Sequence, residues 1–201
     1  MKIWKIKFTA EEYDSLIPVR EFTADQIFSF DGRKHIDTWV PLPVKRMEPE
    51  KGLELSDAPG WTFPMFSKKA VNILKPLIRD SVEFLELAFP ESEYWGVNVT
   101  KVLDVINYEK AQFRTFPNSN RIMVFEKYAF VDSEELRSAS IFKIIDEPRR
   151  NSFVTDRFKQ LVEENKLTGF VFKEVWDSGT GDGSVPSGVA DVSLRSDKTP
   201  K

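Results

Sequence analysis

Only two stretches of this chain carry the spacing of an amphipathic helix, and most of its other apolar residues come in short runs broken by Gly, Pro or charge. In "SKKAVNILKPLI", Ala70, Val71, Leu74, Leu77 and Ile78 recur at i, i+1, i+4, i+7 and i+8 behind Ser67, a residue suited to capping. Pro76 is expected to kink that helix or end its first part. In "DRFKQLVEEN", Phe158, Leu161 and Val162 follow the i, i+3, i+4 pattern, with Thr155 as the expected N-cap and Asp156 at the positive helix end. Two helices among many short strands predict an α+β fold: a single domain with a mixed or antiparallel sheet and a few packed helices, not a regular βαβ alternation.

The strand signals are local. From Lys2 to Phe8, Trp4, Ile6 and Phe8 alternate with lysines, as in a half-buried strand whose lysines face water and guard an exposed edge. "IFSFDGRKHIDTWVPLPV" reads as an apolar segment, an Asp31-Gly32 turn and an extended segment through Trp39 and Val40, with Pro41 and Pro43 arguing against a central strand. Residues 46–66 hold two Gly and three Pro and read as a long connection. "YWGVNV" is a central strand, "RIMVFEKYAFV" and "ASIFKII" are further strands, "FPNSN" is a turn, and "LTGFVFKEVW" closes the domain near Trp176. Beyond it the Gly-, Ser- and Asp-rich end reads as a flexible tail.

At 201 residues, 41% hydrophobic and 30% charged, with 17 Phe and 5 Trp, the chain has ample apolar area for a core without a disulfide or metal staple. Having no cysteine removes disulfides, zinc–thiolate sites, iron–sulfur clusters and thiol catalysis together. A net charge of −3 and a pI near 5.4 provide no overall positive field for a phosphate backbone, so no nucleic-acid partner is expected. No signal peptide opens the sequence, and no window approaches the roughly 18 apolar residues that span a bilayer. The expectation is a soluble protein with no membrane partner.

Little in the chain can perform chemistry. His35 is the only histidine; Asp31 and Asp37 stand near it in sequence, but a surface turn histidine is the simpler account. Glu11-Glu12, Glu91 with Glu93, Glu134-Glu135 and Glu163-Glu164 are paired carboxylates without a flanking motif, as expected of solvated faces. "GTGDG" at 179–183 lacks the strand, helix and Lys of a phosphate loop. No cofactor or metal is expected. In Tyr94-Trp95, neighbouring strand positions face opposite sides, so at least one ring is buried and an outward one suits recognition.

Taken in order, "FSKKAVNILKPLI", "EFLEL", "YWGVNVTKVLDVINYEKAQF", "YAF", "IFKI" and "FVTDRFKQLVEENKLTGFVFKEVW" resemble immunity family eleven, the immunity proteins of bacterial polymorphic toxin systems, formerly a domain of unknown function. The resemblance covers 66–176, with 1–65 as a variable N-terminal part and 177–201 as the tail. It implies a small cytoplasmic bacterial protein, not an enzyme, that neutralises a cognate toxin domain by stoichiometric binding. An alternative is an enzyme that reverses the toxin's modification, with His35 or a carboxylate cluster as acid/base; another is a general interaction domain. If the toxin carries a basic cleft, an acidic surface is the complementary one, and the candidate partner-binding residues are Glu91, Glu93, Tyr94, Trp95, Asp132, Glu134 and Glu135.

Overall fold

A computed structural model describes residues 1–8, 12–20, 30–60 and 63–180. Those residues form mostly β structure with three α-helices, an α+β fold as expected. The strands are β1 (Lys2–Phe8), β2 (Asp14–Pro18), β3 (Leu42–Arg46), β4 (Leu55–Gly60), β5 (Met65–Ser67), β6 (Val82–Ala88) and β7 (Tyr94–Val99). They continue with β8 (Val102–Leu103), β9 (Gln112–Thr115), β10 (Ile122–Lys127), β11 (Ile141–Ile144), β12 (Phe153–Thr155) and β13 (Phe170–Asp177). The helices are α1 (Lys68–Ile78), α2 (Glu134–Ser138) and α3 (Asp156–Glu164).

One mixed sheet has the order β13-β1-β12-β11-β8, a second runs β4-β2-β3-β6-β7-β5, and β9 and β10 form a separate hairpin. Residues from both large sheets and from α1 and α3 meet in one apolar cluster, which includes Ile6, Phe66, Leu74, Val97, Val154 and Phe158. Alternate residues of the same strands point the other way. Phe142 and Phe153 join a second cluster beneath the hairpin, and Met65, Leu85 and Tyr94 join a third with Phe30. Each large sheet is therefore covered on two faces, and this explains why β7 is buried almost continuously.

β1 is not an edge strand. It lies between β12 and β13, antiparallel to both, and strand alternation sends Ile3 into the second cluster while Trp4, Ile6 and Phe8 face the first. β7 is flanked by β5 and β6, a central strand as expected. The 46–66 connection instead contains β4 and the start of β5, and β3 runs through Pro43 between β2 and β6. Pro43 is tolerated because its contribution there is to accept, from Val19 N–H at 2.9 Å. The extended segment expected through Trp39 is interrupted by a 3-10 turn at Ile36–Thr38.

Ser67 caps α1 as expected, accepting from Ala70 N–H at 3.1 Å, and the helix continues through Pro76 to Ile78. Thr155 precedes α3 but does not cap it with its side chain; its hydroxyl donates to the Ala139 carbonyl at 3.0 Å. Asp156 accepts from Lys2 N–H at 2.8 Å and from the Trp4 indole at 2.9 Å, and so fastens β1 to the start of α3. The end beyond Thr180, read from sequence as a tail, lies outside the described residues, as do Glu11 and most of the apolar segment before Phe30.

Candidate partner-binding surface

A hollow lies between the β9–β10 hairpin and the turn at residues 145–150, with a volume near 780 Å³. The hairpin tip closes where Phe116 N–H donates to the Arg121 carbonyl at 3.0 Å, and Asn118 takes a left-handed conformation at φ 60°. Tyr108, Phe116 and Ile145 line this groove and are exposed. Phe113 sits behind Tyr108 and stacks edge-on against Phe125, which leads into the second apolar cluster. The apolar lining is therefore backed by a packed aromatic array.

Charges in the groove are arranged in depth. Arg121, Arg149 and Arg150 are exposed, whereas Glu147 is buried and Asp31 and Asp146 are half-buried. Glu147 accepts from the Tyr128 hydroxyl at 2.6 Å and from Asn151 at 2.8 Å. Burial, reinforced by Glu147, raises the Tyr128 hydroxyl far above the ordinary tyrosine range. Tyr108 donates to Asp146 at 2.9 Å, and burial followed by that carboxylate pushes its hydroxyl up to about 12. Burial opposes ionisation of Asp31, but bonds from Arg33 and the charges of Arg33 and Arg149 outweigh it and hold the carboxyl below its usual range. Beneath the groove, Lys143 donates to the carbonyls of Phe30 and Pro148, and burial lowers its ammonium to about 8.

The residues singled out from sequence occupy two other places. Glu91, Glu93, Tyr94 and Trp95 line one shallow hollow of about 340 Å³ at the turn between β6 and β7. Within it Glu91 pairs with Arg46 at 2.8 Å and Glu93 pairs with Lys68. Tyr94 is buried with its hydroxyl donating to Ser56 carbonyl at 3.0 Å, and Trp95 is half-buried. Asp132, Glu134 and Glu135 lie elsewhere, at the start of α2, whose Leu136 packs into the second cluster. Asp132 grips Arg137 through two bonds, and this partner holds the Asp132 carboxyl low, while Glu134 and Glu135 are exposed.

His35 is half-buried with its ring 5.6 Å from Phe30, and its backbone N–H donates to Glu83 at 2.7 Å. Neighbouring Asp31 is engaged by Arg33 and Arg149. Among the described residues, no group of His, Cys, Asp and Glu is placed to hold a metal ion, and no helix is long and apolar enough to cross a membrane. The groove residues were not foreseen: "FPNSN" identified a turn, and "DEPRR" carried no motif. Only the tertiary contact between hairpin and turn makes them one surface.

No curated protein matches the chain. The model of the Immunity protein family (Imm11) matches residues 7–177, from the end of β1 through β13 and including the hairpin and the three helices described above, and the chain belongs to that family.

Proposed function

We propose that this protein binds a cognate toxin domain in the bacterial cytoplasm and neutralises it as a one-to-one, non-catalytic inhibitor. The observation that carries this reading is membership of an immunity family over residues 7–177, nearly all of the described fold and not one motif within it. Such a role needs a rigid, shaped surface. Two covered sheets with buried apolar clusters on their faces support such a surface, since close-packed interiors resist deformation when a partner docks.

The test is a titration of toxin activity with the purified chain, paired with recovery of the complex. Inhibition complete near one equivalent, with both proteins co-eluting, is expected. Protection at far below one equivalent without a complex would sink the inhibitor reading and favour enzymatic reversal of the toxin's damage.

A further inference from the structure

We infer that the groove between the β9–β10 hairpin and the 145–150 turn is the surface that receives the toxin, and that it takes a protein segment carrying an aliphatic or aromatic anchor flanked by carboxylates. This rests on the toxin-binding role proposed above and names the site through which that role is exercised.

Exposed apolar area is concentrated there. Of the nine large hydrophobic residues most exposed among the described residues, Tyr108, Phe116 and Ile145 line this one groove. Single exposed apolar residues are ordinary, but three around one concavity form the kind of patch that marks an interaction site. Tyr108 is backed by a continuous aromatic array. Tyr108 meets Phe113 edge-on at 6.2 Å between ring centres, Phe113 meets Phe125 at 5.8 Å, and Phe125 stacks on Tyr128 at 4.8 Å. Anchoring side chains that are already ordered lose little freedom on binding.

The charge an incoming segment meets is positive. Arg149 has 52% of its side chain exposed against 13% for Asp31, its ion-pair partner, so the carboxylate is at the floor and the guanidinium at the rim. Glu147 is buried and turned to Tyr128 and Asn151, and Asp146 is turned to Tyr108. Arg121 lies at the hairpin tip with its guanidinium 5.9 Å from the Phe116 ring. An aromatic ring beside an arginine provides apolar contact and a fork of donors together, and these two residue types dominate interface hot spots. Carboxylates on the partner are the matching acceptors.

The experiment uses the full chain and its cognate toxin domain. Hydrogen exchange on the wild-type complex is expected to show protection concentrated in residues 112–122 and 145–150. Phe116→Ser with Ile145→Ser, both exposed positions, is expected to weaken binding by roughly 100-fold while thermal unfolding stays close to wild type. Arg121→Glu with Arg150→Glu is expected to weaken it further at low salt and to flatten its salt dependence. Asp80→Lys, exposed beyond the end of α1 and outside the groove lining, serves as the control and should bind within about twofold of wild type. Folded groove variants that bind like wild type, or protection confined to 86–95 or 132–138, would overturn the groove assignment while leaving neutralisation intact. A wild-type chain that neither binds nor inhibits the toxin would overturn both.

Discussion

Lys143 in β11 donates its ammonium to the carbonyl of Phe30 at 2.6 Å, joining residues 113 positions apart. The same ammonium donates to the Pro148 carbonyl at 2.7 Å, so one buried cation fastens the start of the 30–39 segment and the turn that walls the groove. Burial lowers its pKa from 10.5 to about 8. Between those values the unfolded chain holds more protons than the folded one, so stability rises with pH across that interval, and below it the cost of the buried ammonium is fully present. The expected gain is on the order of 3 kcal/mol across the interval, taken alone. Tyr94 and Tyr108, both raised to about 12, act with the opposite sign once pH passes the ordinary tyrosine value, because the unfolded chain then loses protons first. Urea unfolding should show stability climbing from about pH 7.5 to about pH 9.5 and falling above that, and Lys143→Met should flatten the climb.

The Glu83 carboxylate accepts from His35 N–H at 2.7 Å, Ile36 N–H at 3.3 Å and the Asn98 amide at 2.9 Å. Asn98 also donates to the Arg33 carbonyl at 2.7 Å, so the pair pins the 33–36 backbone across β6 and β7. Glu83→Ala strands several donors at a buried position and should cost about 3 kcal/mol in denaturant unfolding. Glu83→Gln keeps one acceptor oxygen and should cost less. Equal stability for both variants and wild type would show that the pin is dispensable.

Gly169 stands at φ 82° directly before β13, where an added Cβ would collide with the Ser56 side chain and approach the Ala58 carbonyl at 3.1 Å. Beside it Thr168 and Asp57 exchange hydrogen bonds at 3.0 Å, tying β4 of one sheet to β13 of the other. Gly169→Ala combines a left-handed backbone with a steric clash and should lower stability by roughly 2 kcal/mol or more. A thermal melt unchanged by that substitution would refute the close approach.

Phe158 is fully buried on α3, with its ring 6.1 Å from that of Phe170 and 6.3 Å from that of Phe172. Phe158→Ala leaves a cavity at the junction of helix and sheet and should cost about 3–5 kcal/mol. Phe158→Leu should recover most of that loss, as measured by chemical denaturation.

The sequence made α1, α3 and the best-patterned strands legible because those signals are local, whereas the short α2 was not expected. Ser67 caps α1 through a bond three residues away, and Phe158 and Val162 face the core as their spacing requires. Thr155 does not cap α3 with its side chain, and its hydroxyl is instead turned to the Ala139 carbonyl of another element. β4 was invisible for a related reason: Leu55–Gly60 has no alternation of its own and is held by parallel pairing to β2 and by contacts with Thr168. The candidate residues at 91–95 do share one hollow, but the groove combines residue 31 with residues 108–122 and 145–150, a convergence no short window of sequence contains.

The pairing of β1 with β13 has a consequence for how the protein is made. Lys2 and Glu174 form an ion pair across 172 positions, and β1 cannot take its place between two neighbours until those late strands have left the ribosome. Such distant pairing closes slowly. During translation β1 waits with both edges unpaired, so the binding role proposed above cannot begin on a nascent chain until β13 has docked.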